Sequence, residues 1–382
     1  MDFAVEPEHR QFQATLREFF EAEAPVHVVA EMDRAERFPT EIYAKMAEMG
    51  LCGLTFGEEY GGSGADEISI CIATEEVARA SASVAYAYIP TVTFCARGIA
   101  LFGTEEQKQA YLPEVAAGRM RFAMGLSEPD AGSDVASLST RAVRDGSDFV
   151  VRGQKIFTTG ADTADFIMAF VRTDPKAPPR QGISVLLIPR EADGVAINTL
   201  PKLAGQGTHT CEVFFDDVRV PEANLVGELH RGLDIMFGLL DGERIYVGAQ
   251  GCGLGQGALD MALSHAQERE QFGKPIIEFQ AIGHMLADMA MELEAARLIT
   301  WQAAWKLQNG IPCSKDASMA KVIGSETGSR CATRGMQILG GYSYMIEYGM
   351  ERFFRETKLM EIAGGSNQIQ RNIIVKHLRA GD

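Results

Sequence analysis

Proline placement is the strongest constraint on this chain. Eight of its 14 prolines lie between Pro113 and Pro221, and after Pro221 only Pro275 and Pro312 remain. A proline inside a helix removes a backbone donor and clashes with the preceding turn. The stretch after Pro221 therefore has room for long helices, and the middle of the chain does not. Residues 1–119 read as helices: Glu8–Ala24 with a stripe at Phe12, Leu16, Phe19 and Phe20, then Ala65–Ala80 and Thr104–Ala117. Thr104 and Gln107 have the spacing of a capping box. Residues 120–230 read as strands, with Phe149, Val151 and Phe157 in one stretch and Gly182–Pro189 and Cys211–Val220 as others. In residues 231–382 an apolar seam runs through Ile282, Leu286, Met289, Leu293, Ala296, Ala303 and Leu307. Its alternating steps of four and three suit a helix packed lengthwise in a bundle. The expectation is an α+β chain of three domains: 1–119 helical, 120–230 β and 231–382 helical.

Charge and cysteine usage narrow the function. Lys and Arg total 36 against 52 Asp and Glu, a formal net charge of −16. Nucleic-acid binders need a basic face, so nucleic acid is not an expected partner, nor is an anionic membrane surface. No apolar run of about 18 residues stands out as a membrane span, and the first residues lack the pattern of a secretory signal. The seven cysteines form no C-x-x-C pair. A reducing, cytoplasmic setting is expected. The seven histidines show neither H-x-x-H nor H-E-x-x-H spacing, so no metal site is expected. Trp301 and Trp305 read as core, Glu361 as structural, and His209 and Cys211 as unreactive.

Three segments carry chemistry-bearing residues at close spacing. Leu126-Ser127-Glu128-Pro129-Asp130-Ala131-Gly132-Ser133-Asp134 combines hydroxyls with a glycine that lets backbone N–H groups approach a ligand. Gly153–Gly160 offers an aromatic plane at Phe157 beside Thr158 and Thr159. Arg269–Ile276 interrupts the helical zone with glycine and proline. By residue type alone the first reads more readily as a polar loop, and Arg269 as a solvated charge.

Together these segments resemble the acyl-CoA dehydrogenase family, flavoenzymes that form a 2,3-double bond in acyl thioesters. The resemblance runs from Met1-Asp2-Phe3 through Glu59–Gly62, Phe102–Gln107, Val213–Pro221 and Gln337–Gly341 to Ile369-Gln370-Arg371. It implies a helical N-terminal domain, a β-barrel or sandwich, and a C-terminal four-helix bundle. It also implies FAD as cofactor. Met124, Leu126, Ser127, Gly132 and Ser133 match the loop at the flavin edge, with Ser133 also facing the CoA pantetheine. Phe157 stands where the family usually has Trp, and Thr158 and Thr159 follow it, Thr159 near the flavin N5. Arg269, Phe272, Gln280, Gln337, Gly340 and Gly341 match residues that reach the FAD of a neighbouring subunit, which implies a homodimer or homotetramer. Ser366 and Gln368 match the segment near the FAD pyrophosphate and adenosine.

The chemistry removes an α-proton and transfers a β-hydride to flavin N5, and the proton needs a carboxylate within hydrogen-bond reach. Many family members carry that Glu at the position of Gly364 here. A minority, including isovaleryl-, long-chain- and crotonobetainyl-CoA reductase-type enzymes, place it on the first long C-terminal helix, where this chain has Glu243. Glu243 is expected to be the base, with its pKa raised by desolvation. Outside the family context it would read as a carboxylate that opens a helix or pairs with Arg244. Gly364 is expected to offer its backbone N–H to the enolate-like oxygen. Asp241 and Arg244 match residues close to the CoA end of the substrate, and Gly365 is expected to help bind it. Ala85 stands where glutaryl-type enzymes have a carboxylate-binding Arg, so a dicarboxylyl substrate is not expected. Ala363, replacing an aromatic residue, leaves room for branching. Tyr86 and Tyr88 either line the acyl pocket or one of them faces solvent, and the facing of Arg97 is open. The leading reading is FAD-dependent acyl-CoA dehydrogenation with electrons passed to an electron-transfer flavoprotein. The alternatives are an acyl group on a carrier protein and an enoyl-CoA reductase running in reverse. A flavin-loaded, non-dehydrogenating relative fits less well with net charge −16 and an intact Glu243.

Overall fold

The computed structural model describes residues 6–381. The Met1-Asp2-Phe3 part of the resemblance lies outside them. Seven α-helices come first: α1 (Pro7–Glu23), α2 (Val26–Arg34), α3 (Thr40–Glu48), α4 (Glu67–Ala80), α5 (Ala82–Ile89), α6 (Arg97–Phe102) and α7 (Glu105–Ala116). Thr104 caps α7 in a full capping box with Gln107. Pro90 does not break the path from α5 to α6. A π-helical stretch, Pro90–Ala96, carries the chain through, a widened turn that accommodates the missing proline donor. Ala82–Phe102 is long and apolar enough to cross a bilayer, but 72% of its most apolar window is buried inside this chain. Arg97 interrupts its apolar run, which is why no unbroken stretch stands out in the sequence.

The middle of the chain forms β1 (Phe122–Gly125), β2 (Arg141–Asp145), β3 (Asp148–Thr159), β4 (Phe166–Arg172), β5 (Ile183–Pro189), β6 (Val195–Leu200), β7 (Thr210–Pro221) and β8 (Leu225–Val226). They make one mixed sheet in the order β6-β7-β3-β2-β4-β5-β8, with β1 pairing parallel to β4. Alternating burial along β3 and β7 packs Phe149, Val151, Val213, Phe215 and Val218 into a core of their own.

The helical zone returns as α8 (Gly232–Glu268), then a short hairpin of β9 (Glu270–Gln271) and β10 (Lys274–Pro275). Helices α9 (Gln280–Gln308), α10 (Ser314–Leu339), α11 (Met350–Ile362) and α12 (Asn367–Ala380) follow. The α9 seam is buried at Leu286, Met289, Leu293, Ala296 and Ala303. Trp305 corrects the core assignment: it is 51% exposed. At 100° per residue it lies roughly 200° around the helix from Ala303. Trp301 packs half-buried at the edge of the same core. Glycines let α8 and α10 touch backbone to backbone: a Cβ on Gly248 would stand 2.7 Å from the Ala320 carbonyl, and one on Gly324 only 2.3 Å from that of Gly248.

Candidate active site

The first part of the site is built by a bulge. The register of β3 against β7 shifts between Lys155 and Thr158. Lys155 and Thr158 both turn inward, while Phe157 takes φ +59° and is 67% exposed. A non-glycine residue in this conformation costs about 1–3 kcal/mol and persists only where its surroundings impose it. Bulges of this kind recur beside active sites, where they re-aim a side chain.

What imposes it is a buried ion pair. Lys155 Nζ donates to Glu128 Oε1 at 2.7 Å and to the Leu126 carbonyl at 3.1 Å. The Ser139 N–H and hydroxyl donate to Glu128 Oε2 and the Thr140 N–H donates to Oε1, at 2.6 to 2.9 Å. Burial opposes ionisation of Glu128, but Lys155 and these donors outweigh it and hold the carboxyl at about 2. The Ile156 N–H also donates to the Ser127 carbonyl at 2.9 Å, and Glu128 and Ala131 exchange backbone hydrogen bonds across Pro129-Asp130. The loop of Leu126, Ser127, Gly132 and Ser133 is thus clamped to the strand that presents Phe157, with Met124 half-buried at its start. Gly132 and Ser133 are exposed, and a Cβ on Gly132 would meet nothing within 4 Å. Thr158 Oγ1 is buried with no partner, and Thr159 ends the strand half-buried. An outward aromatic plane, hydroxyls and an open glycine loop suit the isoalloxazine and ribityl parts of FAD.

The second part joins Glu243 on α8 to the turn after α11. Gly364 and Gly365 both have positive φ, +64° and +79°. Gln370 Nε2 donates to both their carbonyls at 3.1 Å. A Cβ on Gly364 would sit 3.4 Å from Val247 Cγ2 and 3.8 Å from Glu243 Oε1. The two positions therefore converge on one point in space. Burial pushes the Glu243 carboxyl up to about 7, against the pull of Arg244 and Lys321. Arg244 is buried and donates to Asp241 at 2.9 Å and to Ser314 at 3.4 Å, while its Nε has no partner.

The third group lies far away. Arg269 caps the C-terminus of α8, about 39 Å along that helix from Glu243 at 1.5 Å per residue. Its guanidinium sits over Tyr342, 5.5 Å from the ring centre. Phe272, at the tip of the β9–β10 hairpin, is 95% exposed, and Gln280, Gln337, Gly340 and Gly341 are exposed as well. Ser366 caps α12 by accepting from the Ile369 N–H at 3.4 Å, and Gln368 is exposed on its first turn. One chain thus brings together the loop with β3, and Glu243 with Gly364. It does not bring the Arg269 group to them.

Other candidates resolve by their contacts. Arg97 faces inward, donating to Glu67 at 2.6 Å and to Tyr246 Oη at 2.6 Å. Tyr88 is buried with its hydroxyl on the Leu51 carbonyl, and Tyr86 is buried with no partner for its hydroxyl, so neither faces solvent. Glu361 accepts from Ser329 and Lys358, a structural role. His209 pairs with Asp162 at 2.6 Å. Sequence reasoning assigned no role to Glu128, Lys155 or Lys321, and placed Asn367 only within the Ser366-Asn367-Gln368 segment matched to the FAD pyrophosphate and adenosine. The first two lie inside recognised motifs, whereas nothing local distinguishes Lys321, a mid-helix lysine.

The chain matches the family models described as acyl-CoA dehydrogenase N-terminal domain over residues 6–119, middle domain over 123–218 and C-terminal domain over 230–379. It is 40% identical over 379 residues to the probable acyl-CoA dehydrogenase YngJ of Bacillus subtilis (strain 168), covering 99% of this chain and 100% of that one. It is 38% identical to the caffeyl-CoA reductase–Etf complex subunit CarC of Acetobacterium woodii, covering 96% of this chain and 97% of the relative. Among solved structures, butyryl-CoA dehydrogenase from Megasphaera elsdenii superposes with a TM-score of 0.94 at 36% identity, over 99% of this chain and 100% of that one. The helical–β–helical order, the clamped loop and the matched sequence all agree, and the chain belongs to the acyl-CoA dehydrogenase family.

Proposed function

We propose that this protein carries out FAD-dependent 2,3-dehydrogenation of an acyl-CoA with Glu243 as the base. The observation that carries the assignment is the convergence of Glu243 Oε1 on the Gly364 position, 3.8 Å from where a Cβ would stand. A family whose usual carboxylate projects from that position has the same point in space served here from α8. Glu243 takes the α-proton. A carboxyl with a pKa of about 7 is poised for proton transfer near neutral pH. The Gly364 N–H stabilises the negative charge that develops on the thioester oxygen. Arg244, Asp241, Gly365 and Ser133 hold the CoA side of the substrate. Bound FAD supplies the two-electron oxidant that receives the β-hydride.

Met124, Leu126, Ser127, Gly132, Ser133, Phe157, Thr158 and Thr159 hold the flavin half of the cofactor. Arg269, Phe272, Gln280, Gln337, Gly340 and Gly341 hold the adenine half of a partner's cofactor. The 39 Å between Glu243 and Arg269 supports this sharing, since it exceeds the reach of one dinucleotide. The site is thus complete only in a homodimer or a dimer of dimers. An electron-transfer flavoprotein is the proposed electron acceptor, and the similarity to a reductase–Etf complex subunit supports both that partner and the reverse, enoyl-reducing direction.

The test is to purify the yellow protein and add a panel of acyl-CoAs, straight and branched, under anaerobic conditions. At least one bleaches the flavin absorbance, and Glu243→Gln bleaches at least 100-fold more slowly. A protein without FAD, or one that no acyl-CoA bleaches, refutes the reading. Bleaching by acyl-carrier protein alone transfers it to the carrier-bound substrate.

A further inference from the structure

Behind Glu243 and the glycine turn stands a buried cation that the chemistry above leaves unused. Lys321 on α10 is fully buried, a state that lysine rarely adopts without a partner. The glycine crossing of α8 and α10 brings it there. The backbones touch between Gly248 and the Ala320–Gly324 stretch, five residues, about 7.5 Å of helix rise, from Glu243. The ammonium donates to Asn367 Oδ1 at 2.7 Å, and Asn367 Nδ2 donates to Ser325 Oγ and Glu326 Oε1 at 3.1 Å. Asn367 opens α12, and on the first turn of that helix Gln370 holds the Gly364 and Gly365 carbonyls. The lysine therefore anchors the helix start that fixes the turn facing Glu243.

Three carboxylates lie within electrostatic reach of Lys321: Glu361, Glu243 and Glu326. Glu361 is already engaged by Lys358 at 2.7 Å, and Glu326 by Arg371 at 2.7 Å. Among the described residues Glu243 has no ion pair within 4 Å. The groups that face Glu243 are Arg244 on its own helix, Lys321 from α10 and the Cys95 thiol from the π-helical stretch. The turn after α11 offers only Ala363, Gly364, Gly365 and Ser366.

We propose that Lys321 is a positioning residue for the reaction: through Asn367 it fixes the Gly364 turn against Glu243, and its ammonium joins the Arg244 guanidinium as one of the two cations that favour the ionised carboxylate. This rests on Glu243 being the base. Burial lowers the Lys321 ammonium to about 8, so it remains charged over the range in which Glu243 loses its proton.

The test compares FAD-loaded wild type, Lys321→Met and Asn367→Ala. In Lys321→Met the acid limb of kcat/KM moves up by about one pH unit, and kcat falls about tenfold with KM within about twofold. Infrared titration supplies a readout that does not depend on turnover. The protonated-carboxyl band absent from Glu243→Gln persists to higher pH in Lys321→Met. Asn367→Ala keeps the lysine and removes its anchor, so kcat falls without the full pH displacement. An acid limb and carboxyl band that do not move in a folded Lys321→Met overturn the proposal. If that variant does not fold, unchanged kcat in Asn367→Ala does so. The two readings fail separately. Wild-type bleaching by Glu243→Gln removes the base and Lys321's role with it, whereas loss of bleaching there with an unmoved Lys321→Met limb removes only the latter.

Discussion

Replacing Glu243, the proposed base, by Gln removes its carboxylate and strengthens the fold. The carboxyl stands at about 7 in the folded chain against an ordinary 4.5, raised chiefly by burial. At 1.36 kcal/mol per pH unit, that displacement makes the ionised form cost about 3 kcal/mol. The folded state binds this proton more tightly than the unfolded chain. Stability therefore falls as pH rises from about 4.5 to about 7 and stays level above it. Gln has the same shape and never ionises, so it removes the cost only where Glu243 would be charged. By the same linkage, the gain is about 3 kcal/mol at pH 7.5 and about 1 kcal/mol at pH 5. Scanning calorimetry of the two proteins at both pH values measures it. The Gln protein melts higher by roughly 5 °C at pH 7.5 and by roughly 2 °C at pH 5, while turnover drops about 10²- to 10⁴-fold. A Tm difference that is the same at both pH values, or a Gln variant less stable at pH 7.5, refutes the reasoning.

Two further outcomes follow from the geometry. Lys155→Met strands the buried Glu128 carboxylate, which costs about 3–5 kcal/mol; the variant sheds FAD on gel filtration, and adding Glu128→Leu recovers much of the lost stability. Retention of FAD at wild-type affinity in the single variant would show that the pair does not brace the loop. Moving the base by combining Glu243→Gly with Gly364→Glu restores flavin bleaching at least tenfold over Glu243→Gly alone, although the left-handed backbone at residue 364 taxes the new side chain by about 1–2 kcal/mol. No recovery would mean that the two positions do not serve the same proton.

Much of the fold was legible because it depends on local patterning. The capping box at Thr104 and Gln107, the apolar seam of α9 and the β-rich stretches ending at Pro189 and Pro221 all follow from short-range periodicity and backbone chemistry. Trp305 was misplaced because the spacing of two tryptophans says nothing about the phase of the neighbouring seam. The Phe157 bulge has no clear local signature: Lys-Ile-Phe-Thr reads as an ordinary strand, and only the pairing with β7 together with the Lys155–Glu128 anchor forces the extra residue outward.

The sequence by itself determined the order of the three parts, the family, and the pairing of a glycine at 364 with a glutamate at 243, because these depend on residue identity at given positions. Only the tertiary structure decided that the two positions meet within 4 Å and that Lys321 is buried beside the helix that holds the glycine turn. Those facts depend on how closely α8 and α10 approach and on which side chains burial strips of water. A carboxyl's pKa, like a cation's influence on it, is set by distance and solvent exclusion, and the linear chain specifies neither until its helices are packed.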